Sequence, residues 1–214
     1  EGARRGRPIL RDPLACLADF AIAAEIVSRI QHNPEVSLDV NPSSRQTLLE
    51  LTREGYLAKL LAAGARVHQA GCNGCIGMGQ APATGKNSLR TVPRNFPGRS
   101  GTREDSVFLA SPETVAASAC GVITDPRKLG FPYPQIRDSE PCPLDDRAFL
   151  APQPVEKAKR VELQKGPNIV SLPEFEEAPA SLEAPILLKL GDDVSTDEIM
   201  PAGSRILPFR SNIP

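Results

Sequence analysis

The sequence predicts an α/β chain in which a parallel sheet carries helices on both faces, as a three-layer arrangement. A connector and the first strand of a second, truncated α/β domain follow. Three observations lead there. Short apolar runs alternate with stretches of helical periodicity up to Gly121, a proline-rich stretch without clear period follows, and an apolar run restarts at Pro185. Strands separated by helices run parallel, because each helix returns the chain across a face of the sheet. The expected boundaries are a first domain over residues 1–130, a linker over 131–183 and the start of another domain over 184–214.

Residues 1–18 show no convincing period. Phe20, Ala23, Ile26, Val27 and Ile30 recur at helical spacing and give one apolar face, which predicts a helix of about three turns. After the break at His32-Asn33-Pro34, residues 36–40 alternate as a short strand does and stop at Asn41-Pro42. Ser43 followed by Gln46 reads as a capping box that opens a helix bearing Leu48, Leu49 and Leu51. Gly55 interrupts this helix, Leu57, Leu60 and Leu61 continue the pattern, and Gly64 closes it before residues 65–68. Strand-like runs return at 89–92 and 107–110. Ser111-Pro112-Glu113 then supplies a cap, a proline at the first helical position and an acid in the first turn, and the helix stops at Gly121. Residues 185–190, Pro-Ile-Leu-Leu-Lys-Leu, read as a buried strand.

The 25 basic and 26 acidic side chains nearly cancel, so the electrostatic footprint of a nucleic-acid binder is missing. No apolar stretch reaches the roughly 20 residues a membrane span needs, and no secretory apolar region opens the chain. A soluble, cytoplasmic protein without nucleic-acid or membrane partners is expected. The five cysteines, Cys16, Cys72, Cys75, Cys120 and Cys142, are an odd number in a chain too large to depend on disulfides. Some of them are therefore expected to be reduced thiols with a metal, cluster or redox role.

Three stretches carry chemistry. Gly71-Cys72-Asn73-Gly74-Cys75-Ile76-Gly77 follows an expected strand; thiolates at this spacing can bind neighbouring metals of one cluster, while glycines let backbone N–H groups approach the sulfurs. A thioredoxin-like redox pair, or two small residues packed in a tight turn, fits the same spacing. Zinc would need further ligands, and Cys120 and Cys142 complete no familiar pattern. Pro93-Arg94-Asn95-Phe96-Pro97-Gly98-Arg99 places two guanidiniums five residues apart, able to grip carboxylates by forked hydrogen bonds, although composition alone makes them solvated surface groups. The acidic run from Gly191 to Gly203, with Thr196-Asp197-Glu198-Ile199 inside it, reads by composition as a solvated turn.

In this order and separation these stretches resemble the aconitase family, with its Gly-Cys-x-x-Cys-Ile-Gly, Arg-Asn-Phe-x-Gly-Arg and Thr-Asp-x-Ile-x-Pro-Ala-Gly segments, from about Asp19 to the end of the chain. Ser111-Pro112-Glu113-Thr114-Val115 matches the segment that follows the arginine loop there. The resemblance implies that Cys72 and Cys75 ligate a 4Fe-4S cluster, that Arg94 and Arg99 bind substrate carboxylates, and that Asp197 stands at the active site on a mobile domain. Arg210 matches a further substrate arginine once one residue is inserted before it. Where the family carries a third cysteine in Gly-Ser-Cys-Thr-Asn, this sequence has Asp12, and Cys16 falls four positions later. Pro93 and Met200 replace an asparagine and a serine of the family pattern.

The activity so implied is aconitate hydratase, the interconversion of the tricarboxylates citrate and isocitrate through cis-aconitate, as in the tricarboxylic acid cycle. The cluster would act as a Lewis acid on the departing hydroxyl. The family's serine base and N-terminal domains are not in the sequence, so a fragment is expected, inactive alone, with its missing domains in a longer chain. A related hydro-lyase acting on isopropylmalate, homoaconitate or methylcitrate shares every motif, and a non-catalytic remnant is the other reading.

Overall fold

The computed structural model describes residues 6–10 (backbone only), 17–72, 74–78, 81–136, 143–162, 164–167, 169–171, 173–200 and 206. Contacts divide the chain into two units, Glu1–Ala148 and Phe149–Pro214.

Five parallel strands form the sheet of the first unit: β1 (Gly6–Leu10), β2 (Asp39–Val40), β3 (Arg66–Val67), β4 (Asn87–Arg90) and β5 (Ser106–Leu109), in the order β3-β2-β1-β4-β5. Ile9 pairs with Asp39 on one side and with Arg90 on the other, and Val40 pairs with Val67. The central strand β1 falls in the stretch that shows no period in the sequence. Its Gly6-Arg7-Pro8-Ile9-Leu10 lacks the continuous apolar run usual for a buried parallel strand, and proline is normally kept to edges.

Helix α1 (Leu17–Val27) connects β1 to β2, and α2 (Arg45–Arg53) with α3 (Tyr56–Ala62) connects β2 to β3. The cap of α2 is Ser44, one residue later than expected: its side chain accepts from the Thr47 N–H, while Gln46 turns away to donate to Glu50 at 3.1 Å. Helix α4 (Pro112–Ala117) starts on Ser111, which accepts from the Thr114 N–H, with Pro112 at its first position as the sequence predicts. A 3-10 turn over Ser118–Cys120 and Gly121 then end it.

The core joins helix to sheet through Phe20, Ala23, Ile26 and Val27 of α1, Leu51, Leu60 and Leu89, and Val115 to Ala117 of α4. Alanine is frequent where α1 meets α4, and small side chains let the two backbones approach. Leu61, expected to face inward, is half exposed. The four helices pack with one another as one group. The helical layer expected on the other face is not among the described residues. The fold is α/β with a parallel sheet.

Residues past 130 stay attached to the first unit for some distance. Phe131 packs on the core, Tyr133 Oη donates to Glu113 at 3.0 Å, and Arg45 pairs with Asp145. In the second unit the described elements are α5 (Val155–Ala158) and α6 (Thr196–Ile199). The strand expected over 185–190 is not formed: Ile186 and Leu187 are 88% and 90% exposed and no ladder includes them. An apolar run becomes a strand only against a neighbouring strand or face, and the described part of this unit offers neither. No described helix is long and apolar enough to cross a membrane.

Two outcomes are expected from this packing. Leu60→Ala removes a side chain with no exposed surface and should lower unfolding free energy by about 2–5 kcal/mol in urea titration. Glu25 of α1 bonds Lys59 of α3, and that hydrogen bond holds its carboxyl below the ordinary 4.5 against the upward pull of burial. A lowered folded-state pKa contributes stability above the ordinary value that is lost as pH falls through the lowered one. Glu25→Gln should therefore lower the melting temperature at pH 7, and the gap to the parent should close as the pH is taken below 4.5.

Candidate functional site

The cysteine loop follows β3, and its backbone, having no ladder to join, is held by side chains from other strands. Asn41, directly after β2, is fully buried. Its Oδ1 accepts from the Gly74 N–H at 3.1 Å, and its Nδ2 donates to the carbonyls of Gln69 at 2.8 Å and Gly71 at 3.1 Å. One amide thus satisfies a donor and two acceptors, and their polarity sets which way it faces. Arg90, the last residue of β4, is also inaccessible; its Nη1 donates to the Gly74 carbonyl at 3.1 Å and its Nε to Ser88 Oγ at 2.8 Å. Ser100 Oγ donates to the Cys75 carbonyl at 2.8 Å. Buried peptide groups need such partners, since each one left unmade costs about 1–3 kcal/mol.

The arginine loop between β4 and β5 is shaped by Pro97-Gly98. Gly98 has φ +78°, and the Arg99 N–H donates to the Phe96 carbonyl at 3.1 Å, as in a type II turn with proline then glycine at its centre. Arg99 is 4% exposed, and its Nη2 donates to Cys75 Sγ at 3.1 Å. Asn95 Nδ2 donates to the Val107 carbonyl of β5 at 3.3 Å. The two loops also touch through backbone: a Cβ on Gly77, whose φ is +79°, would stand 2.0 Å from the Ser100 carbonyl oxygen.

Cys75 and Arg99 are therefore brought together at the carboxyl edge of the sheet, the edge at which open α/β sheets place their ligands. Cys72 lies on the same loop but is exposed, whereas Cys75 is 1% exposed, and neither is in a disulfide. Arg94 is half-buried in the arginine loop. Asp197 belongs to the second unit, where Ser195 caps α6 by accepting from the Asp197 N–H. Arg210, Asp12, Cys16 and Cys142 lie outside the described residues. The residues that sequence reading missed are Asn41, Arg90 and Ser100. In the sequence Asn41 marks only a strand stop, and its contact with Gly74 spans 33 positions.

As donors for an iron-sulfur group, Cys72 and Cys75 offer the soft sulfur that such clusters take. Their number falls one short of the three that the family pattern requires. Among the described residues no three His, Cys, Asp or Glu are grouped to hold a metal ion, which also leaves zinc without a ligand set.

Comparison with known proteins agrees with the motifs. The family described as "Aconitase family (aconitate hydratase)" matches residues 15–121, half of the chain. The chain belongs to the aconitase family. Curated relatives include a 3-isopropylmalate dehydratase large subunit 1 of Methanopyrus kandleri, 44% identical over 112 residues that make up 51% of this chain and 27% of that protein. The large subunit of Mycolicibacterium smegmatis is 42% identical over 123 residues, 56% of this chain and 29% of the relative. A large subunit 1 of Thermotoga maritima is 39% identical over 115 residues, 53% and 28% respectively. The chain spans less than a third of the length of these relatives. In this aconitase-family chain the match includes both the cysteine loop and the arginine loop.

Gly77→Ala should show how tightly these two loops are joined. The methyl group has to displace the Ser100 backbone, an overpacking that costs about 1–3 kcal/mol, to which the positive φ adds about 1–2 kcal/mol. Denaturant titration is expected to show that loss.

Proposed function

We propose that this chain is part of the large subunit of a hydro-lyase of the 3-isopropylmalate dehydratase type, with the cysteine and arginine loops forming one wall of its active site. The observation that carries this reading is the buried contact of Arg99 with Cys75 Sγ at 3.1 Å. It sets a permanent positive charge against a sulfur suited to iron, in a chain whose relatives are named for this activity at about 40% identity. Isopropylmalate is a dicarboxylate with an apolar branch. The relatives' names thus favour a dicarboxylate over the expected tricarboxylate and give no support to a place in the tricarboxylic acid cycle.

In a hydro-lyase the substrate loses a hydroxyl group from one carbon and a proton from its neighbour, leaving an alkene and water. An iron-sulfur group held by Cys72 and Cys75, with a third ligand from outside the described residues, would supply Lewis acidity for the departing hydroxyl. Arg94, Arg99 and Arg210 would hold the carboxylates; guanidinium stays protonated, so these residues position and neutralise rather than transfer protons. Asp197 would serve as the catalytic carboxylate. The three-layer arrangement would need helices over the other face of the sheet, and the partner of a large subunit would be the smaller chain of the same enzyme. Aconitate hydration is the second reading, favoured by the description of the matching family as aconitate hydratase.

Anaerobic reconstitution with iron and sulfide tests this proposal. The protein should develop a thiolate-to-iron absorption band, and Cys75→Ser should cut bound iron about tenfold or more, because an alcohol is a harder and weaker ligand than a thiolate. The chain alone should not produce the absorbance of the unsaturated acid from 3-isopropylmalate or from citrate. Absence of the band, or a band untouched by Cys75→Ser, would remove the hydro-lyase reading; turnover of citrate in preference to 3-isopropylmalate would move the assignment to the second reading.

A further inference from the structure

The cysteine loop is fixed by groups that neither ligate metal nor meet substrate in the reading above. Strand order places β2 and β4 on either side of β1. Asn41, just past the end of β2, and Arg90, at the end of β4, thus stand on opposite sides of the central strand. The Gly74 peptide is held between them, its N–H by Asn41 Oδ1 and the carbonyl of the same residue by Arg90 Nη1, each at 3.1 Å. Asn41 also ties down the approach to this point through Gln69 and Gly71, and the Gly71 N–H donates back to the Pro42 carbonyl at 2.9 Å. Every one of these bonds ends on a backbone group and none uses a cysteine sulfur, so holding the loop and binding a metal draw on different atoms.

We propose that Asn41 and Arg90 are positioning residues that set the place of Cys75 before any iron-sulfur group binds. Cys75 is the preformed ligand and the exposed Cys72 the one that closes on the incoming group. The part that concerns iron rests on the hydro-lyase reading; the placement of Cys75 does not. A ligand held in place loses less conformational freedom on binding, and such preorganisation raises affinity without adding a contact. The asymmetry of the pair has a chemical signature. In the metal-free chain Cys72 is open to a thiol reagent, and Cys75 at 1% exposure is shielded until the loop opens.

The test uses the whole chain without metal and follows modification of each cysteine by N-ethylmaleimide with peptide mass spectrometry. Asn41→Leu keeps nearly the same volume but loses all the amide hydrogen bonds; Asn41→Asp keeps the acceptor for the Gly74 N–H but loses the donors to the Gln69 and Gly71 carbonyls; Ser111→Ala weakens the fold at the cap of α4, away from the loops. Asn41→Leu is expected to speed labelling of Cys75 by about tenfold or more, since about tenfold is the factor carried by a single buried hydrogen bond and three are lost. Cys72 should change less than about twofold, since it is exposed in either case. Asn41→Asp should lose shielding as well, because its second oxygen faces the Gln69 and Gly71 carbonyls, and Ser111→Ala should leave the ratio of the two rates unchanged, which separates opening of this loop from general destabilisation. Should the leucine variant fail to fold, Asn41→Ser provides the same comparison. Equal labelling of the two cysteines in the parent overturns the proposal, as does unchanged shielding in the folded Asn41 variants or the same loss of shielding in Ser111→Ala. If the labelling behaves as expected but no iron band forms on reconstitution, the placement of Cys75 stands and the hydro-lyase reading fails.

Discussion

All five strands run the same way, so every loop that follows a strand leaves the sheet from one edge. That constraint brings together residues far apart in sequence. Asn41 follows β2, the cysteines follow β3, and Arg99 and Ser100 follow β4. Antiparallel pairing would have sent alternate loops to opposite edges, and Asn41 could not have reached Gly74. Parallel strands also need crossovers, and α1, α2 and α3 supply them while burying the apolar face that stabilises the unit. The same choice of topology thus gives both the core and the convergence of loops.

How much of this could be read from the sequence depended on the range of the interaction. Local devices were legible: the Ser111-Pro112-Glu113 start of α4, the break at Gly55 and the helical face of α1 all follow from neighbours within a turn. The cap of α2 slipped by one residue because Ser43 and Ser44 are chemically alike, and Thr47 rather than Gln46 decides between them. Strand β1 was hidden because Pro8 and Arg7 disguise it, and only its pairing with β2 and β4 makes it a strand. The run at 185–190 erred in the opposite sense: its apolar composition suits a strand, but no partner receives it.

At the candidate site the motifs were legible and their support was not. Cys72, Cys75, Arg94 and Arg99 stand out by spacing and by family resemblance, yet no spacing rule says that Arg99 reaches the sulfur 24 residues before it. Asn41, Arg90 and Ser100 carry no motif at all. They are ordinary polar residues whose importance comes from the unpaired peptide groups of a loop, and those groups are known only once the loop has a path. The exposure difference between Cys72 and Cys75 belongs to the same class, because Cys75 is met by Arg99 at its sulfur and by Ser100 at its carbonyl, both from the arginine loop.

The bond from Asn95 to Val107 reaches beyond the site. The Ser106 and Ala110 N–H groups both point to β4, and alternation along a strand therefore turns the Val107 carbonyl away from it, toward the side of β5 that no described strand covers. Such outward groups are templates on which a foreign strand can grow, and the half-exposed Phe108 and Leu109 make this border a sticky one. Asn95 occupies the carbonyl that a docking strand would seek first. The arginine loop is thereby tied to the outer side of β5, and the asparagine between its arginine and phenylalanine leaves one fewer unmet carbonyl along it.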